Sequence, residues 1–180
     1  DADSLFARSH GADTSWVAPV VGRTRVAYRK GRALVEVAGD RHRALRALED
    51  GLDHAAHALE LAPGHAKAME LRGSLRYAKF IYHLVPDPER REVLIRQARE
   101  DLEAAVDSDP SLPTAHATLS HLYFQPPFED LVNVAISARR AYEADAYLEN
   151  ADGVLWRLVQ AHEALGQFSQ ARRWCEEGRD

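Results

Sequence analysis

Apolar residues recur along this chain three and four positions apart, the interval that gathers side chains onto one face of an α-helix. Ala98, Leu102 and Ala105 form one such series, and Leu155 with Leu158 belongs to another. No stretch alternates apolar and polar residues convincingly enough to read as a strand, and the Val-rich run Ala33 to Ala38 is the one ambiguous segment. The pattern predicts helices over 2–10, 16–34, 41–61, 66–84, 88–107, 113–124, 128–144, 151–165 and 168–178.

Aligned with itself, the chain repeats a phrase. Ala55-Ala56-His57-Ala58-Leu59-Glu60-Leu61-Ala62-Pro63 returns as Leu102-Glu103-Ala104-Ala105-Val106-Asp107-Ser108-Asp109-Pro110. In each, a helix end runs into a proline, which has no amide hydrogen with which to continue the ladder. Weaker copies without the proline run from Ala138 to Ala146 and from Leu5 to Thr14. A second helical pattern follows every copy, starting at Trp16, Ala66, Thr114 and Ala151, so the repeating unit is a helical hairpin. Alanine at the tight positions lets paired helices approach closely, while Leu, Tyr and Phe fill the space between hairpins.

These features resemble the tetratricopeptide repeat. Met69 and Gly73 stand at that family's large and glycine positions, with Ala98, Leu102, Ala105 and Pro110 on the following helix. Leu119, Ser120 and Tyr123 repeat the first-helix part, and Leu155, Leu158, Gly166, Phe168 and Ala171 mark the last unit, whose turn Ala164-Leu165-Gly166-Gln167-Phe168-Ser169-Gln170-Ala171 is the most specific stretch. The interval from Pro63 to Pro110 exceeds the usual repeat of about 34 residues. The surplus falls around Val85-Pro86-Asp87-Pro88-Glu89, where Asp87 can cap a helix and Pro88 can open one, and lengthening also affects Lys30 to Asp40.

The resemblance implies an all-α, right-handed superhelical solenoid of antiparallel helical hairpins, about four repeats with a flanking helix. It is expected to form a single domain over 1–180, with units near 1–15 (partial), 16–65, 66–112, 113–150 and 151–180. It further implies a concave groove lined by the first helices of successive hairpins. Carried over by position, that groove holds Arg25, Tyr28, Lys67, Glu70, Ser74, Tyr77, His121, Phe124, Trp156 and Gln160. Family members that clamp a terminal carboxylate use Lys and Asn where this chain has Val21 and Gly22, Glu70 and Leu71, and Ala117 and Thr118, so that mode of recognition is not expected.

Composition narrows the functional classes. With 46% hydrophobic and 28% charged residues the chain is that of an ordinary globular domain, and its formal charge of −5 offers no global attraction to nucleic acid or an anionic membrane. Charge is nevertheless uneven: Arg23, Arg25, Arg29, Lys30, Arg32, Arg41, Arg43 and Arg46 face only Glu36 and Asp40 in their segment. Such a region could seat an acidic or phosphorylated partner, but with only Tyr28 nearby it lacks the stacking aromatics of a nucleic-acid site. No apolar run reaches the roughly 20 residues of a membrane span. The one cysteine, Cys175, permits no internal disulfide and fits a reducing cytoplasm.

Candidate chemistry is sparse. His54 and His57 are spaced to share a helix face, but a metal site needs a third ligand and His57 falls among alanines expected to be tightly packed; His116 and His121 are five apart. Ser120 and His121 are adjacent on a helix and point about 100° apart, and Cys175 with His162 forms no recognisable pair. Cys175 occupies an aromatic position of the repeat and is expected to be a small core residue. No catalytic constellation, cofactor or metal is therefore expected. The chain opens on what reads as the second helix of a hairpin, which predicts a piece of a longer protein, similar to repeat regions behind bacterial signalling kinase or transcription-factor domains. The expected role is an adaptor that holds a protein or peptide, with a spacer or self-associating element, or the sensory part of a larger enzyme, as alternatives.

Overall fold

The computed structural model describes residues 2–178, and all regular structure within them is α-helical. The helices are α1 (Ala2–Ala12), α2 (Val17–Glu36), α3 (Arg41–Leu61), α4 (Ala66–Ile81), α5 (Pro88–Ser108), α6 (Pro113–Tyr123), α7 (Leu131–Ala144), α8 (Ala151–Ala164) and α9 (Phe168–Glu177). After α1 they pair in order as four antiparallel hairpins, α2 with α3, α4 with α5, α6 with α7 and α8 with α9. The ambiguous run Ala33 to Ala38 continues α2 as far as Glu36.

Local chemistry sets the boundaries. Asp40, Asp87 and Asp130 accept from the amides of Arg43, Arg90 and Asn133 at 2.9, 3.1 and 3.0 Å, satisfying donors that the first turns of α3, α5 and α7 leave free. The cap at Asp130 starts α7 three residues later than the predicted 128. Pro88 and Pro113 open α5 and α6, where a missing amide hydrogen costs nothing. α4 ends at Ile81, short of the predicted 84. His83 takes a left-handed φ of 51°, and Arg41 donates to the carbonyl oxygens of Tyr82 and His83 at 2.6 and 2.7 Å, which closes the helix. Gly166 turns α8 into α9 at φ 70°, a conformation that glycine adopts without steric cost.

The helices form two compact units, α1 to α5 and α6 to α9. In the first, Ala44, Leu48, Ala55, Leu75 and Ala78 build one apolar cluster and Val20, Val21, Ala58, Ala68 and Leu71 another. Leu48 is fully buried, a burial that contributes roughly 1.5–3 kcal/mol. It lies so close to α2 that a Cβ on Gly31 would come within 2.5 Å of its Cδ2. Between α4 and α5, the buried carboxylate of Asp101 accepts from Arg72 at 2.6 Å and also pairs with Arg76. In the second unit the core joins Ala138 and Ala141 of α7, Val154 and Leu158 of α8, and Ala171 and Trp174 of α9. Trp174, not Cys175, fills the buried position on α9. Cys175 is exposed, correcting its expected place in the core, because one residue along a helix turns a side chain about 100° away.

Within each unit the first helices of the hairpins also touch, α2 against α4 and α6 against α8. That arrangement sets the face on which the candidate site lies.

Candidate functional site

In the first unit the candidate side chains come from α2 and α4. Arg25 is exposed and makes no ion pair or hydrogen bond among the described residues. Tyr28 is half-buried against the α2–α3 core; burial raises its phenol pKa against the opposing effect of Arg32, whose guanidinium lies 5.9 Å from the ring centre. Lys67 donates to both carboxylate oxygens of Glu70 at 2.7 Å. Glu70 and Ser74 are 1% and 2% exposed, and Tyr77 is buried with its ring stacked 6.3 Å from that of Phe80. Arg25, Tyr28 and Lys67 are thus the side chains of this set that reach solvent, while Glu70, which holds Lys67, and Ser74 and Tyr77 are buried. The i, i+4 and i+7 spacing places Arg25, Arg29 and Arg32 in one stripe along α2.

A network that sequence reasoning did not find closes the end of this face. Glu36 accepts from Arg32 at 3.0 Å and from the Tyr82 hydroxyl. Burial and then the bond to Glu36 push the Tyr82 pKa up to about 12. Burial alone would weaken the Arg32 cation, but its contacts with Tyr82, Tyr28 and Glu36 outweigh that and hold it protonated. Of the basic segment from Arg23 to Arg46, Arg23 is bound to Asp3 at 2.8 Å, Arg32 to Glu36, Arg41 to backbone carbonyls and Arg43 loosely to Asp40 at 3.9 Å. The pairing of Arg23 with Asp3 spans 20 positions and leaves no periodic signal in the sequence.

In the second unit the candidate side chains come from α6 and α8. Trp156 is 61% exposed on α8. His121, Phe124 and Gln160 are half-buried. Burial, reinforced by the Arg157 cation, pushes the His121 pKa down to about 4, so the ring is neutral at physiological pH. Arg157 donates to Ser120 Oγ at 3.2 Å, and that hydroxyl donates to the carbonyl of Ala117 at 2.7 Å. Ser120 is fully buried in this arrangement and is not poised as a nucleophile. His162 bonds Gln167 at 2.7 Å within the α8–α9 turn. On the other side of this unit, a cleft of about 480 Å³ runs between α7 and α9 over Val132, Ile136, Leu165 and Trp174.

The histidines of α3 separate. Ala55 and Ala58 are buried, but His57 is nearly half exposed, correcting the expectation that it packs among them. His54 loses basicity through burial and through Arg23, while Asp3 acts in the opposite sense. His57 instead meets His10 of α1, their Nε2 atoms 3.3 Å apart.

No family model matches the chain. No curated protein matches it by sequence. Among solved structures it is similar to TTC0263, a thermophilic tetratricopeptide protein of Thermus thermophilus, with a TM-score of 0.62 and 14% identity over 98% of this chain and 79% of that one. It is similar also to MamA, with a TM-score of 0.60 and 14% identity over 98% of this chain and 84% of that one. At such identity the likeness speaks for the fold: the described helices, α1 followed by four hairpins paired in sequence, have the arrangement of the tetratricopeptide-repeat proteins, whose fold this chain therefore shares.

Proposed function

We propose that the chain is a protein–protein interaction module that holds a peptide or partner helix on the first-helix faces of its hairpins. Each unit offers its own face: Arg25, Tyr28 and Lys67 over the buried Glu70, Ser74 and Tyr77 in the first, and His121, Phe124, Trp156 and Gln160 in the second. The observation that carries the reading is Trp156, a large aromatic left 61% exposed on a first helix whose opposite side is core. A tryptophan in that position offers large contact area at low entropic cost, and an exposed arginine such as Arg25 adds charge-assisted bonds; both residue types are enriched at binding hot spots. Scaffolds of this fold generally work by holding proteins, and nothing in the geometry of Ser120, His121 or His162 favours chemistry over binding.

The test is to select peptides from a displayed random library against the parent chain and to measure their affinities for Arg25→Glu, Trp156→Ala and a control, Arg96→Glu, on the exposed side of α5. Affinity lost in either face variant and kept in the control supports the reading. Affinity unchanged in both face variants removes it. A second reading, self-association, is favoured by Tyr147 and Phe168, which are 97% and 71% exposed in the second unit. Sedimentation of the parent beside Tyr147→Ser and Phe168→Ser separates it from the first. The described helices include none long and apolar enough to cross a membrane.

A further inference from the structure

α1 packs along α2, and its last turn carries His10 to α3, where its Nε2 faces the Nε2 of His57 at 3.3 Å with the rings at 79°. That separation is informative. A hydrogen bond from an N–H donor is usually about 2.9–3.0 Å long. Two imidazole nitrogens bound at about 2.0–2.1 Å to one tetrahedral zinc ion lie about 3.3–3.4 Å from each other. The outer nitrogen of His57, Nδ1, lies 3.5 Å from Oε2 of Glu60, so Nδ1–H can donate to the carboxylate, which keeps the proton on that side and leaves the Nε2 lone pair free. A carboxylate behind a ligating histidine is the usual means of fixing its tautomer and raising its basicity. Among the described residues Nδ1 of His10 is buried without a hydrogen-bond partner, so no bond from them on that side holds the ring in a competing tautomer. Asp13 adds a second carboxylate within electrostatic range of His10.

We propose that His10 and His57 form a two-imidazole binding site for a divalent transition metal, zinc being the probe ion, with water completing the coordination and Glu60 orienting His57. No cluster of three or more potential metal-ligating side chains occurs among the described residues, so the site is an open one with two protein ligands. Its open mouth follows from exposure: the side chain of His57 is 46% exposed and that of Glu60 76%. Occupancy joins α1 to α3, two helices that otherwise meet through α2, and so fixes the leading helix of the first unit.

Zinc uptake by the whole chain, measured by equilibrium dialysis near neutral pH, tests this beside His10→Ala, His57→Ala and a neighbouring control, His54→Ala. The expected result is one zinc ion per chain, affinity reduced by about tenfold or more in either of the first two variants, and no change in the control. Helicity of each variant is checked by circular dichroism, and zinc should raise the Tm of the parent and of the control but not of the other two, since only a site present in the folded state links binding to stability. Absence of saturable uptake at millimolar zinc, or uptake that both His10→Ala and His57→Ala retain, overturns the proposal and leaves the pair as a contact between two imidazoles.

Discussion

A Cβ placed on Gly73 of α4 would stand 2.7 Å from Cγ of Leu102 and 3.0 Å from the carbonyl oxygen of Ala98, both on α5. Leu102 is fully buried and the carbonyl belongs to a helix backbone, so neither can swing aside. Gly73→Ala is therefore expected to destabilise the chain by about 1–3 kcal/mol through overpacking, in spite of alanine's better helix propensity. Gly11→Ala, at a place with nothing within 4 Å, is expected to be neutral or stabilising by a few tenths of a kcal/mol. Urea denaturation of both variants checks the contrast.

Asp101 is 5% exposed and paired with Arg72 and Arg76, which are themselves partly open to solvent. Asp101→Ala strands two cations and is expected to cost about 2–3 kcal/mol, below the full penalty for a wholly buried pair. Arg76→Gln should cost less, because Arg72 still neutralises the carboxylate. A double-mutant cycle between the two positions measures the coupling.

Acid should loosen the second unit through His121. Its pKa in the folded chain, about 4, lies below the ordinary histidine value of about 6.5, so on acidification the unfolded chain takes up the proton first. The corresponding stability is complete above about pH 6.5 and is lost as pH falls towards 4. Allowing for solvent screening, it amounts to about 1–2 kcal/mol. In His121→Gln the slope of stability against pH across that window should flatten, and thermal melts at pH 7 and pH 5 read the difference.

The tryptophans should divide by burial. Trp174 is 8% exposed, with Tyr142 edge-on at 6.0 Å, and its replacement by alanine is expected to cost about 3–5 kcal/mol. Trp156→Ala should change stability by less than about 0.5 kcal/mol. Chemical denaturation decides, and the second outcome qualifies Trp156→Ala as a folded reagent for binding experiments.

Much of the fold was legible because the signals that set it are local. The limits of α3 coincide with those predicted, and Asp87 and Pro88 open α5 as their positions require. The end of α4 was not legible, since it is set by Arg41, a residue 41 positions away from the Tyr82 carbonyl that it binds. Among the site residues, periodicity places Glu70, Ser74 and Tyr77 on a first helix but cannot say how deeply a neighbouring helix covers them. Cys175 was expected in the core for a related reason: a one-residue offset in aligning a weak repeat swaps the buried face for the open one. The His10–His57 contact joins two helices through residues 47 apart, and no spacing rule reaches that far.

Within each unit, a helix packs only on its neighbours or next-but-one neighbours in the chain. Little loop-closure entropy has to be lost before a contact forms, so each unit can grow outward from any stable hairpin and should fold on the fast, helical-bundle end of the kinetic range. The same locality makes the architecture extensible, because a hairpin added to or taken from one end disturbs the contacts of its immediate neighbours and leaves the interior untouched.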